Sequence, residues 1–486
     1  MKGIVKQGIG VGVVNIIAVL FGAINTIFIY DRFISDYELG RMKYIISFSM
    51  LLIPFISVGA NNIVIKFYHD FKERNNNNIF FLLFVVISCA YLLFLLASHF
   101  IFRNVISGLD IDFFPISLMI LFWSYNLLLT GYIHNLKKII IPSIFNNLWI
   151  KLGTGVITLI SFYLDWEISV YLNAIVGVYF IALLGNFLYA RYLSLFEEMD
   201  FNFKIEKDLI KLIKRYAFFI ILGGLSSAVI TQIDMVMVKE ILNDYNRTGI
   251  YGVSLFIGSL MVVPVSSLTS VANPILAEKF AQNRIKDVEE IYVGSSRNLF
   301  VMGCLLFLLI WLSLDDLYDF FQKDQWKSGK PVVFFIMVSK LFDMLMGVNT
   351  SVINYSKYYS FNFYTICVLS IGNIILNFVF IPEYGMMGAA MASLISLSIF
   401  NIAKFWFLYY KFGFIPFEWN TLKTLAVGIL FYLIFISIDI NMGNPVSNVV
   451  LRSILITVPF LLISYVLGLS DLLVNVVNKN IKKIKK

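Results

Sequence analysis

The sequence predicts an all-α polytopic membrane protein with about 14 transmembrane helices, and three observations lead there. Of 486 residues, 59% are hydrophobic and only 14% are charged, against roughly 45–50% and about 25% in soluble domains. The mean hydropathy is +0.83. The apolar residues fall in long unbroken runs, not in the alternation of a membrane β-barrel. These features exclude an ordinary soluble enzyme, a disordered chain, a coiled coil and a disulfide-stapled secreted domain.

A bilayer core takes about 20 mostly apolar residues per helix. The runs of that length are 9–30, 44–66, 79–102, 113–133, 139–163, 169–190, 216–238, 250–273, 298–314, 332–352, 361–382, 386–410, 421–438 and 450–468. The first, Gly8 to Tyr30, is too long for a signal-peptide core, and no small-residue cleavage site follows it; it is expected to stay as span one. Spans eleven and twelve are separated only by a tight Pro382-Glu383-Tyr384-Gly385 turn. Cys89, Cys304 and Cys367 each lie inside an apolar run, which predicts buried thiols and no structural disulfide.

With both ends cytoplasmic, the inner loops, ends and adjoining span ends hold 26 Lys and Arg and the outer ones 10, while Lys151 and Lys340 fall well inside spans. That asymmetry predicts an N-in, C-in topology. The net charge of +8 is then mostly a topology signal, and nothing points to nucleic acid. The tail residues Lys479, Lys482, Lys483, Lys485 and Lys486 read as an anchor on anionic lipid. The longest cytoplasmic connection, Arg191 to Arg215, is charged and amphipathic, and no loop leaves room for a soluble catalytic domain. The expected division is 1–200 for spans one to six, 201–411 for spans seven to twelve, and 412–486 for spans thirteen and fourteen with the basic tail. The Asn75–Asn78 run is a polar loop tip without evident chemistry.

The chain carries an internal repeat. Met50-Leu51-Leu52-Ile53-Pro54, Val58-Gly59-Ala60-Asn61 and Lys66-Phe67 are echoed by Leu260-Met261-Val262-Val263-Pro264, Ser270-Val271-Ala272-Asn273 and Lys279-Phe280. Upstream, Asp36-Tyr37-Glu38-Leu39-Gly40 is echoed by Asp244-Tyr245 and Gly249. Spans two and eight thus correspond in the same orientation. A parallel repeat of about six spans implies two six-helix lobes plus two C-terminal helices, an architecture suited to alternating access. Pro54 and Pro264 each remove a backbone hydrogen bond and permit a kink.

A charge at the bilayer centre costs about 2.5–3.5 kcal/mol, so it should face a cavity or a partner. The candidates are Lys151, Asp234, Lys340 and Asp343. Asn147, Lys151 and Thr154 share one helix face, as do Ser227, Thr231 and Asp234, and Lys340, Asp343 and Gly347. In span one Asn15, Gly22, Asn25 and Thr26 cluster similarly, and Asn61 and Asn62 come late in span two. Lys151, with no partner on its own helix, is the strongest substrate-binding candidate, joined by Asn147, Lys340, Asn25, Asn61 and Asn62. Asp234 and Asp343 are the lumen charges that would carry a coupling ion. The alternatives are a snorkelling Lys151, mutual neutralisation of Lys340 and Asp343 across one turn, and a purely structural Asp234.

Other chemistry is missing. His69, His99 and His134 make no ligand-spaced pair, so no metal site is expected. Gly329-Lys330 is followed by Pro331, which breaks a phosphate-binding loop. No serine elbow or catalytic Cys/His pattern occurs.

Three stretches carry a family resemblance. Asp234-Met235-Val236-Met237-Val238 leading to Gly249-Ile250-Tyr251-Gly252 resembles a signature of polysaccharide exporters, and Pro274 to Phe280 resembles the segment ending their eighth span. Asn373-Ile374-Ile375-Leu376-Asn377, followed by Ile381-Pro382-Glu383-Tyr384-Gly385-Met386-Met387-Gly388-Ala389-Ala390, resembles their most specific hallmark. There Asn373, Asn377, Pro382, Gly385 and Gly388 are hinge or structural positions. The chain thereby resembles the Wzx-type flippases of the multidrug/oligosaccharidyl-lipid/polysaccharide (MOP) exporter superfamily. The resemblance implies a cationic cavity between two lobes in a bacterial inner-membrane protein. It implies transfer of undecaprenyl-pyrophosphate-linked oligosaccharide from the cytoplasmic to the periplasmic leaflet, for O-antigen, capsule or exopolysaccharide assembly. Polysaccharide polymerase and chain-length machinery would be partners. No cofactor is expected beyond a coupling proton or sodium ion, and a monomer suffices. The few, mixed-sign lumen charges depart from the more basic relatives. A lipid II flippase, a MATE-like multidrug antiporter, a membrane glycosyltransferase or polymerase, and a structural membrane subunit are the competing readings.

Overall fold

The computed structural model describes residues 2–73, 79–104, 112–196, 207–321, 323–438, 440 and 442–484. Asn75–Asn78, the 197–206 part of the Arg191–Arg215 connection, and Lys485 and Lys486 lie outside the described residues. Among the described residues the ordered elements are all helices. Twelve are long and apolar enough to cross a membrane, or up to 14 if each of two bent pairs is one span. The chain forms two compact units, Met1–Gly249 and Ile250–Lys486.

In the first unit, span one is Lys2–Ile24, a π-helical turn Asn25–Ile29 and Tyr30–Phe33. Span two begins at Asp36, where Ser35 and Glu38 form a reciprocal capping box that satisfies two otherwise orphaned amide donors. It runs Asp36–Ser57 and resumes as Ala60–Glu73. The break falls four residues after Pro54, with Val58 (φ 51°) and Gly59 (φ 67°) left-handed. Spans three, four and six are Ile79–Asn104, Phe113–Asn135 and Ile168–Tyr192. Span five combines Ile140–Ser143, a π-helical segment Ile144–Trp149, and Ile150–Tyr163. Span seven, Lys207–Leu242, which the sequence places at the head of the second lobe, packs along span two.

The second unit takes up span eight, which is Tyr245–Ser259 and Val262–Ala281 with a 49° bend between them. Here the bend precedes Pro264, whereas in span two the break follows Pro54. Pro264 sits in the first turn of its helix, where a missing N–H costs no internal bond. Span nine is the 37-residue helix Ile285–Phe321. Span ten breaks into Lys330–Leu345 and Asn349–Tyr355, again by 49°. Gly347 (φ 62°) makes that break, and Ser295 Oγ accepts the freed Val348 amide at 3.1 Å. Spans eleven to fourteen are Tyr359–Tyr384, Met386–Phe412, Trp419–Ile436 and Pro445–Val466, and a last helix spans Asp471–Ile484.

Span eleven continues through Pro382 to Tyr384, so the expected four-residue turn reduces to Gly385 alone. Its φ of 61° with ψ of −138° is a region that side chains avoid. A Cβ on Gly388 would lie 2.5 Å from the Phe380 carbonyl carbon, so this hairpin closes backbone against backbone. Asn377 Nδ2 donates to Asn373 Oδ1 at 2.7 Å, and both residues are buried. Among the described residues the three cysteines form no disulfide; Cys304 is buried and Cys367 half-buried, but Cys89 is exposed, which corrects the expectation of three buried thiols.

Candidate functional site

Lys151 is the second residue of the α-helical part of span five, which begins at Ile150 just after the π segment. Its side chain is exposed and makes no hydrogen bond or ion pair among the described residues. Four residues earlier Asn147, also exposed, donates from Nδ2 to Asn15 Oδ1 of span one at 2.7 Å. Lys43 of span two lies within electrostatic reach of Lys151. Its ammonium stands 5.6 Å from the Tyr30 ring centroid. The first unit therefore presents two ammonium groups within electrostatic reach of each other and an amide pair, with no carboxylate among the described residues bonded to either cation.

The other residues of these stripes have structural employment. Asn25 is buried and donates to the Lys151 carbonyl at 2.6 Å and to Thr154 Oγ1 at 3.4 Å. Tyr30 donates to the same Thr154 oxygen at 3.2 Å. Asn25 and Thr154 thus tie span one to span five beneath Lys151. Asn61 packs against Gly131 of span four, where an added Cβ would meet it at 2.9 Å, while Asn62 is exposed. Asp234 is buried, and Thr231 bonds to the Ser227 carbonyl of its own helix. Buried Asn126 and Asn186 and half-buried Asn146 form a triad across spans four, five and six, with bonds of 2.7–3.0 Å.

In the second unit, Lys340 and Asp343 do not pair with each other. Asp343 Oδ1 accepts from Asn401 Nδ2 at 2.9 Å, and Asn401 Oδ1 accepts from Asn349 at 2.9 Å. Lys404, only 1% exposed, donates to Thr350 Oγ1 at 2.8 Å and sits 3.9 Å from the Phe400 ring centroid. It also lies within electrostatic reach of Asp343. Lys340 is half-buried and belongs to none of these bonds. Gly347 ends the helix instead of extending its polar stripe.

The sequence reading missed Lys43 and Lys404. Lys43 lies one residue outside the apolar run of span two. Lys404 lies near the end of the run of span twelve, where Ser396, Asn401 and Lys404 mark a polar stripe that could have shown it.

The reading also missed the meeting of the two Asp-Tyr…Gly copies. A Cβ on Gly40 would lie 2.7 Å from the Tyr245 carbonyl carbon and 3.0 Å from the Gly249 nitrogen. One on Gly249 would lie 3.2 Å from both the Asp36 carbonyl carbon and the Gly40 nitrogen. Each copy therefore packs on the other reciprocally, as in a contact about a two-fold axis. The Tyr37 and Tyr245 rings meet edge-on at 5.4 Å, and Arg41 lies 5.7 and 5.8 Å from their centroids. Alongside, Tyr44 donates to Glu240 at 2.5 Å, and buried Lys239 reaches Glu240 at 3.3 Å. Among the described residues, no group of three or more His, Cys, Asp or Glu is placed to hold a metal ion.

Residues 4–280 match the sequence profile of a family described as polysaccharide biosynthesis protein. The uncharacterized membrane protein MJ1375 of Methanocaldococcus jannaschii is 28% identical over 233 residues, 45% of this chain and 53% of that protein. The chain thus matches about half the length of this curated relative. Among solved structures, the lipid II flippase MurJ in an inward closed conformation superposes with a TM-score of 0.73 at 16% identity, covering 94% of this chain and 98% of that one. An inward-facing multidrug resistance MATE transporter of the MOP superfamily gives a TM-score of 0.58 at 10% identity, covering 85% and 95%. A MATE in complex with MaL6 gives 0.55 at 12% identity, covering 85% and 96%. The shared feature is the fold.

Proposed function

The chain belongs to the polysaccharide biosynthesis protein family, within the MOP exporter superfamily, and from that premise we propose that it flips a polyprenyl-pyrophosphate-linked oligosaccharide across the membrane. The family and the fold support a membrane flippase or exporter; the lipid-linked sugar, undecaprenyl pyrophosphate as carrier, and residence in a bacterial inner membrane are our reading.

The observation that carries it is the unpartnered Lys151 beside Lys43. A lone charge inside a span is unfavourable and two like charges together more so. A pyrophosphate against both ammonium groups relieves both costs. The Asn15–Asn147 amides supply donors and acceptors for sugar hydroxyls. An inside-negative potential adds about 2.3 kcal/mol per charge per 100 mV, so an anionic head group moves outward without nucleotide hydrolysis. Alternating access would require the Gly40–Gly249 seam to part, and Asp234 or Asp343 would carry a coupling proton or sodium ion.

The test is a deletion strain analysed for surface polysaccharide and for lipid-linked glycans in the membrane. The expected result is loss of surface polymer with accumulation of single repeat units on polyprenyl pyrophosphate. Normal polymer and normal intermediates would overturn the reading. Accumulation of lipid II with arrested growth would favour a second reading, suggested by the fold likeness to the lipid II flippase.

A further inference from the structure

Two cavities of the second unit meet at Trp311 and Tyr432, which line both. One is an apolar slot of about 340 Å³ between spans nine, ten and thirteen, walled by Cys304, Phe307, Phe334, Leu341, Leu425 and Gly428. The other is a polar bowl of about 750 Å³, walled by Asp315, Asp316, Asp319, Lys330, Asn448 and Arg452. A hydrocarbon slot opening into a charged bowl is the complement of an amphiphile. Trp and Tyr at the junction are the side chains that favour the boundary between acyl chains and head groups. Span nine, about 55 Å long at 1.5 Å per residue, exceeds a hydrocarbon core of about 30 Å. Its Asp315–Asp319 end can therefore reach the head-group layer.

The bowl has a charge order. Arg452 is bonded to Asp316 and to the Leu312 carbonyl, and Asn448 donates to the other Asp316 oxygen at 2.9 Å. That wall is consolidated and half-buried. Lys330 reaches both Asp315 oxygens at 2.7 Å and lies 5.2 Å from the Trp311 ring centroid, beside the slot. Asp315 and Asp319 are 65% and 55% exposed at the outer rim, where Lys327 pairs with Asp319 at 2.9 Å. Lys330 thus stands next to the hydrocarbon slot, the bowl as a whole is close to charge-balanced, and its most exposed carboxylates, Asp315 and Asp319, stand outward. A phospholipid carries its phosphate next to its acyl chains, and a terminal amine lies beyond it.

We propose that this slot and bowl bind a zwitterionic phospholipid with a primary-amine head group, one acyl chain in the slot, phosphate at Lys330 and Arg452, and ammonium at Asp315 and Asp319. The site lies within one unit and is separate from the Lys43–Lys151 pair. It concerns a resident lipid, not the transported molecule, so it stands whether or not the flippase reading does.

The experiment uses the full-length protein, purified in mild detergent. It is loaded with equal amounts of phosphatidylethanolamine, phosphatidylcholine and phosphatidylglycerol, and retained lipid is read by native mass spectrometry. The expected result is preferential retention of phosphatidylethanolamine. Combined Asp315→Asn and Asp319→Asn should cut that preference about tenfold, the weight of one charge-assisted hydrogen bond. Gly428→Phe should abolish retention of all three lipids by filling the slot. A Cβ at Gly428 meets only Cys304, at 3.7 Å, so Gly428→Ala is the packing control and should retain lipid. Because the rim carboxylates are exposed, the Asp315/Asp319 arm decides the matter even if Gly428→Phe does not fold. Equal retention of the three head groups, preference for phosphatidylglycerol, no retention, or a preference unchanged in the Asp315/Asp319 variant would each overturn the proposal.

Discussion

Gly40→Ala is the sharpest probe of the seam between the two repeat copies. The added methyl would lie 2.7 Å from the Tyr245 carbonyl carbon and 3.0 Å from the Gly249 nitrogen, whereas carbon atoms prefer about 3.5–4.0 Å. Every atom it meets is backbone, so no side chain can rotate away. The two helices must part by on the order of 1 Å, and overpacking of this kind costs about 1–3 kcal/mol. The upper end is expected, because separation also loosens the Tyr37–Tyr245 edge contact and the Arg41 stacking. At about 2–4 °C per kcal/mol for a unit of this size, the thermal midpoint should fall by roughly 6–12 °C. Gly249→Ala should act alike, and the double variant should lose less than the sum, because helices already parted by one methyl accommodate the second. Thermal unfolding in detergent measures the midpoint. Disulfide trapping of a Tyr37→Cys/Tyr245→Cys pair measures closure, which should fall in the Gly40→Ala background. An unchanged midpoint with unchanged trapping, or strict additivity of the two alanines, would refute the reciprocal seam.

Four further outcomes follow from the same geometry. Lys151→Ala should lower transport about 10–150-fold, the range for a charged hydrogen bond, while leaving the thermal midpoint in place because Lys151 has no partner to strand; a joint loss of transport and folding would count against a substrate role. Lys404→Met should destabilise by about 1–3 kcal/mol in thermal unfolding, because it leaves Thr350 Oγ1 without its donor and Asp343 without its neighbouring ammonium. Gly385→Ala should destabilise by about 1–3 kcal/mol, as expected of a side chain forced into that backbone conformation, and calorimetry or fluorescence melting reads it. Asn186→Ala, at a position fully buried, should cost about 1–3 kcal/mol in thermal unfolding by leaving Asn126 Oδ1 without its donor.

The spans were legible because hydropathy over twenty residues is a sum, and sums tolerate local irregularity. The fourteen runs fall on the helices that start at Lys2 and end at Val466. What the sum hides is the irregularity itself. The π-helical segments at Asn25–Ile29 and Ile144–Trp149, and the breaks at Val58–Gly59 and Gly347, leave no mark in mean hydropathy. They redirect side chains all the same, and this splits the Asn147–Lys151–Thr154 stripe into an exposed pair and a buried anchor. Lys151 was visible because it stands alone in its run. Lys43 and Lys404 were hidden by position, close to run ends where lysines usually belong to loops. Pairing across helices was beyond reach: an i, i+3 spacing allowed Lys340 to meet Asp343, but Asn401 of span twelve takes the carboxylate.

The hairpin at Gly385 sets how force passes through the second unit. Spans eleven and twelve are joined by a single residue and pressed together at Gly388 and Phe380, so they swing as one lever arm instead of two. A tilt of the two spans as a pair would carry Asn401 and Lys404 of span twelve with it. From there it passes through the Asp343–Asn401–Asn349 chain to both halves of the broken span ten. Movement of that lever would therefore have to stretch or carry along the bonds that hold Asp343 and Asn349.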